Sequence, residues 1–144
     1  LNLGLESLHV RMARHCENGQ AVAEFLASHP KIAYVNYCGL PGDKYHAVAE
    51  KYLPNGSCGV VSFGVKGGRE AAAAFMGHLK IAAIETHVAD ARTCCLHPAS
   101  STHRQMNDEQ LIAAGVQPDL VRMSCGLEDK NDLIHDIAQA LDQI

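Results

Sequence analysis

The 144 residues, 15.5 kDa, suit one domain that can bury roughly two-thirds of its unfolded surface. With 47% hydrophobic and 19% charged residues, a core is affordable and a disordered tail is excluded. Twelve Lys plus Arg against 16 Asp plus Glu give −4 with the basic residues scattered, which argues against a nucleic-acid surface. No apolar run approaches the roughly 20 residues of a membrane span, and Leu1-Asn2-Leu3-Gly4 carries no secretion signal.

From Leu1 to Ser28 apolar residues recur at helical spacing (Leu1, Leu5, Leu8, Met12, Cys16, Gly19, Val22, Phe25-Leu26), and no proline intervenes before Pro30. This predicts one long helix, residues 1–28, leading into a domain over 29–144, with His9 and His15 at the edge of its apolar face. Ile32 to Tyr37 reads as a strand, and Asp43 is placed to cap a short helix over Tyr45–Tyr52. Gly59–Val65 is a second strand and Glu70–Leu79 an alanine-rich helix. Two further strands, Ile81–Ile84 and Arg92–Leu96, flank a polar turn near Asp90; His97–Met106 lacks any period and reads as loop. Asn107 followed by Gln110 forms a capping-box pattern, and Gly115 marks that helix's end. Asp119–Ser124 is a strand, and a last helix after Glu128-Asp129 carries the stripe Leu133, Ile134, Ile137, Leu141, Ile144. Helices interleaved with strands predict an α/β fold: a two-layer sandwich, its mainly antiparallel sheet covered by helices.

The six cysteines show no C-x-x-C, and most sit among apolar neighbours, so reduced structural thiols in a cytosolic protein are expected. Adjacent Cys94 and Cys95 should face opposite sides of their strand. Nine histidines raise a zinc site as an alternative, but no pair shows tight ligand spacing, and no metal is assigned.

Three features carry chemistry. Arg122 lies between Val121 and Met123 in a strand; it is either a solvated surface residue or a planar fork for a carboxylate, and spacing leaves both open. His97-Pro98-Ala99-Ser100-Ser101-Thr102-His103 gathers hydroxyls and imidazoles after a strand, either as a ligand loop or as a turn bonding its own backbone. Gly126-Leu127-Glu128-Asp129 is a strand-to-helix joint where a glycine could cradle an anion.

The order of these pieces is more specific than any one. His97–Met106, Ala113–Val116 and Val121–Asp129, together with Asp90-Ala91-Arg92-Thr93 and Arg11–Asn18, resemble the C-terminal part of the pyridoxal-phosphate-dependent enzymes of Cys/Met metabolism. The resemblance is strongest to the O-acetylhomoserine sulfhydrylase branch and covers essentially the whole chain. It implies the smaller C-terminal domain of the type I aminotransferase fold in a cytoplasmic homo-oligomer, a tetramer when intact. The implied reaction is γ-replacement: O-acetylhomoserine exchanges its acetyl group for sulfide or a thiol. A cystathionine γ-synthase or γ-lyase type enzyme is the alternative within the family. By the same resemblance Arg122 is the substrate α-carboxylate clamp, Thr102 borders that carboxylate, and His87 stands where relatives carry Ser or Asn. Ala89 replaces a glycine common in relatives. The Schiff-base lysine would lie upstream of Leu1, so the chain alone should be inactive, and apolar residues of the first helix should be left uncovered. An amino-acid-binding module or an assembly domain would use the same residues without a cofactor; pairing of Arg122 with Glu128 would favour the assembly domain.

Overall fold

The computed structural model describes residues 1–144. Five strands form one sheet in the order β1-β2-β5-β4-β3: β1 Ile32–Asn36, β2 Val60–Val65, β3 Ala83–Ile84, β4 Cys94–Leu96 and β5 Leu120–Ser124. All neighbours pair antiparallel except β3 and β4, which run parallel. The segment around Asp90 is therefore not a hairpin turn between two antiparallel strands; it is a crossing that returns the chain in the same direction.

Six helices accompany the sheet: α1 Asn2–Glu6, α2 Leu8–Ser28, α3 His46–Tyr52, α4 Gly68–His78, α5 Asp108–Ala113 and α6 Lys130–Asp142. The predicted single first helix is interrupted at Ser7, and every residue of α1 is exposed. Only the second half of α2 enters the core, through Val22, Ala23 and Leu26, where it packs on β1, β2 and α6. Leu1, Leu5, Leu8 and Met12 continue the apolar period but stay exposed. His15, expected at the edge of the face, is buried, with Nδ1 at 2.7 Å from the Cys125 carbonyl.

Period-two alternation divides the sheet into a closed and an open face. Val61, Phe63, Val65, Val121, Met123 and Cys95 point into the cluster under α2, α4 and α6, with Phe63 meeting Phe75 edge-on. Ser62 and Arg122 are register partners on the opposite face, and Leu96 pairs with Arg122 from the other side. Cys94 and Cys95 do separate, Cys95 joining the core and Cys94 remaining outside it.

Local signals account for most boundaries. Asn107 accepts from the Gln110 amide and Gln110 Oε1 accepts from that of Asn107, closing the capping box on α5. Gly115, at φ +80°, ends α5: its N–H reaches the Ile112 carbonyl and that of Val116 reaches Leu111. Asp43 accepts from the Tyr45 N–H, so it shapes the entry to α3, which starts one residue later than predicted.

Candidate functional site

Arg122 sits mid-strand at the centre of the sheet, half-buried on its open face. Its Nη2 donates to the Thr86 carbonyl at 2.7 Å and lies 3.5 Å from that of His87. Its Nε is buried with no partner, and no carboxylate pairs with the guanidinium. A buried, unpaired donor on a permanent cation is costly, and an acceptor that reached it would satisfy it. Glu128, the internal carboxylate that could have neutralised Arg122, is engaged elsewhere: its oxygens accept from the Thr93 N–H at 2.7 Å and the Thr93 hydroxyl at 2.8 Å.

The cavity in front of Arg122 has a volume of about 510 Å³, and Ser62, Thr86, Pro98, Thr102 and His103 share its walls. Two of the three predicted site residues, Arg122 and Thr102, thus meet on one cavity. The third is placed differently. The His87 ring turns away to Glu85, Nδ1 to Oε2 3.0 Å, and only its carbonyl faces the guanidinium.

The hydroxyl-rich loop divides into structural and available parts. Ser100 and Ser101 bond back to the His97 carbonyl, as the turn reading expects, and His97 is fixed through Ser100 and the Pro118 carbonyl. Thr102 makes no such bond; its hydroxyl lies 2.9 Å from His103 Nδ1 at the exposed rim. Arg69, which the sequence did not single out, holds the loop against α4: Nη1 donates to the Ala99 carbonyl and the guanidinium pairs with Asp108. Its only sequence signal was a charge at the start of a helix, which most helices share.

The Gly126 joint cradles no external anion. A Cβ at Gly126 would lie 2.5 Å from the Ala91 carbonyl oxygen, the Arg92 carbonyl carbon and Glu128 Oε2. The glycine is required because the chain's own carboxylate and the Asp90–Thr93 backbone close on it. Asn18 completes the joint by donating to the Gly126 and Glu128 carbonyls.

The family model for Cys/Met metabolism PLP-dependent enzymes matches residues 1–142. The chain belongs to this family. It is 45% identical over 139 residues to homocysteine synthase of Schizosaccharomyces pombe, a match covering 96% of the chain and 32% of that protein. O-acetyl-L-homoserine sulfhydrylase of Leptospira meyeri is also 45% identical, over 142 residues, 98% of the chain and 32% of the relative. An L-methionine gamma-lyase of Fusobacterium nucleatum is 40% identical over 141 residues, covering 98% of the chain and 35% of the lyase. In solved structures, an O-acetylhomoserine (thiol)-lyase of Campylobacter jejuni, containing pyridoxyl-lysine monophosphate, superposes with a TM-score of 0.89 at 38% identity. That match covers 97% of this chain and 33% of the other. The chain therefore spans about one third of the relatives it matches.

The family's cofactor is pyridoxal phosphate (PLP), but the Arg122 cavity does not offer the amine that would hold its aldehyde. No lysine lines it. Lys31 is tied to the Leu141 and Ile144 carbonyls, Lys66 to that of Pro30, and Lys130 to Glu17. Lys44 and Lys51 lie over tyrosine rings, and Lys80 is exposed beside Asp136. What the cavity provides is a guanidinium with donors to spare.

Proposed function

We propose that this chain is the substrate-carboxylate-binding part of a PLP-dependent enzyme of the O-acetylhomoserine sulfhydrylase type. One observation carries the reading: Arg122 faces a cavity with a buried, unpartnered Nε and no carboxylate of its own. An amino-acid α-carboxylate matches a planar fork of donors, and the Thr86 carbonyl fixes the guanidinium plane before substrate arrives. Thr102 stands at the rim with a hydroxyl that can turn toward the same anion. His87 contributes through its carbonyl, with its ring committed to Glu85.

The reaction proposed for the intact enzyme is γ-replacement, in which an O-acylated homoserine exchanges its acyl group for sulfide or a thiol. PLP, when bound, supplies the electron sink for that chemistry, and we place its lysine outside these 144 residues. The residues of this chain orient the substrate through its carboxylate. A sulfhydrylase is preferred to a methionine gamma-lyase type because the sulfhydrylase relatives share more identity over the same span, 45% against 40%.

Two measurements test the reading. In the holoenzyme that contains this chain, acetate release from O-acetylhomoserine should require sulfide or a thiol; release of α-keto acid from methionine at a greater rate would reassign it to the lyase type. The isolated chain mixed with PLP and treated with borohydride should show no stoichiometric labelling of one lysine. A single labelled lysine would place the cofactor site inside this chain and overturn the proposal.

A further inference from the structure

The parallel pairing of β3 and β4 creates a juxtaposition that the linear spacing conceals. Ala83 and Ile84 align with Cys94 and Cys95, and the Glu85 N–H donates to the Cys95 carbonyl at 3.1 Å, so Glu85 emerges beside Cys94. The chain then doubles back and brings in His87. Glu85 Oε2 lies 3.0 Å from His87 Nδ1 and 3.8 Å from Cys94 Sγ, and the three donor atoms all fall within 4.8 Å of one another. A tetrahedral zinc ion, with bonds of about 2.1 Å to N and O and about 2.3 Å to S, sets its ligands about 3.4 and 3.6 Å apart. The two separations from Glu85 match those edges to within about 0.4 Å, and rotation of the exposed His87 ring would close the remaining gap to Cys94, which is within 4.8 Å. Asp90 Oδ2, 3.8 Å from His87 Nδ1, is a further carboxylate beside the trio that could supply a fourth ligand.

We propose that Glu85, His87 and Cys94, with Asp90 or water in the fourth position, form a binding site for a divalent transition metal of the zinc class. A thiol, an imidazole and a carboxylate together select zinc or cobalt over magnesium and calcium, which take oxygen alone. The surroundings suit a cation. Burial and then the charges of Glu85 and Asp90 push the Cys94 thiol up, so without metal the sulfur keeps its proton beside two carboxylates. A bound cation reverses both effects, releasing that proton to solvent as the S–metal bond forms. The site has a structural consequence: the segment it would clamp supplies the Thr86 and His87 carbonyls that seat Arg122. It rests on the chain's own ligands and holds whether or not Arg122 binds a substrate.

The test is titration of the tag-free, metal-free chain with Co²⁺, followed by displacement with Zn²⁺. One equivalent should produce a thiolate-to-cobalt charge-transfer band in the near ultraviolet, and zinc should abolish it. Cys94→Ser should remove the band. His87→Ala and Glu85→Gln, whose side chains lie at the surface, should keep the fold by circular dichroism and weaken binding by about 10-fold or more. Affinity should rise with pH, as one proton is displaced. The absence of a band, its persistence in Cys94→Ser, or unchanged affinity in His87→Ala would each overturn the proposal. If Cys94→Ser does not fold, the other two variants decide the matter.

Discussion

Asp136 and Arg122 are both charged residues withdrawn from water, on opposite faces of one sheet, and they are treated in opposite ways. Asp136, buried on the helical side, has both oxygens occupied: Oδ1 accepts from the Lys80 N–H and Gln139, and Oδ2 accepts from the Ile81 and Ala82 N–H groups. It binds α6 to the segment after α4 and leaves nothing over. Arg122 meets only backbone carbonyls through one nitrogen, keeps a buried Nε idle and opens on a cavity. A charge satisfied from within holds structure together; one left with directed, unused donors is poised for a partner.

Exchanging the two sites' fates is the strongest way to break this comparison. Asp136→Ala would strand three buried or half-buried N–H groups and should cost about 3–5 kcal/mol of stability, read by urea denaturation. Asp136→Asn, retaining one acceptor oxygen, should recover part of it. A loss under about 1 kcal/mol would show that water replaces the carboxylate and that the contrast is false. Arg122→Leu should do the reverse. In the holoenzyme KM for the amino-acid substrate should rise on the order of 10²-fold, the loss of one charged hydrogen-bonding pair, while stability shifts by about 1 kcal/mol or less. Equal substrate KM in Arg122→Leu would detach the carboxylate from this residue.

The two faces were not equally legible in the sequence. The helical side followed from apolar spacing: Val61, Phe63, Val121 and Met123 alternate as strands should, and Leu133, Ile137 and Leu141 form the stripe that meets them. Asn107–Gln110 and Gly115 fixed α5 because caps are local chemistry. What escaped depended on distant partners. Asp136 sits within a helical stripe and looks like a solvated acid until the turn after α4 closes on it. His15 looks like a face-edge residue of α2, and Asn18 carries no signal at all, until the Gly126 joint arrives. The Ser7 break and the exposed leucines before it were invisible, because periodicity reports a face and not whether anything covers it. On the open side, the family resemblance brought Arg122 and Thr102 to one cavity in advance, but not the turning of the His87 ring toward Glu85, which follows from the parallel pairing of two very short strands.

Titration sharpens the comparison on the closed side. Burial pushes the Cys125 thiol up to about 12 and raises that of Cys95 as well. In the unfolded chain thiols lose their protons near 8.5, so above that pH the unfolded state binds fewer protons than the folded one. The stabilisation is therefore complete below about pH 8.5 and declines as pH rises, by about 1.4 kcal/mol per pH unit for each thiol still protonated in the fold. Denaturation midpoints should fall steadily between about pH 9 and 11, and Cys125→Ala should flatten that slope while lowering stability at neutral pH. An unchanged slope would mean that these thiols are reached by solvent.

The smallest effect belongs to the open side, in the segment that seats Arg122. Ala89 has φ +58°, the only non-glycine residue in the left-handed region, and its N–H is held by the Ser124 hydroxyl at 2.9 Å. A Cβ there costs about 1–2 kcal/mol, whereas glycine costs about 0.4–1 kcal/mol through the greater freedom of the unfolded chain. Ala89→Gly should therefore stabilise the protein by about 0.5–1 kcal/mol, raising Tm by about 2–4 °C in calorimetry. Because the Ser124 contact uses only the backbone of residue 89, the Thr86 and His87 carbonyls should stay in place and substrate KM should not move. Destabilisation by Ala89→Gly would mean that the positive φ is held by contacts of the alanine methyl. A KM shift without a change in Tm would mean instead that rigidity at this turn, rather than the carbonyl anchors alone, keeps the guanidinium aimed.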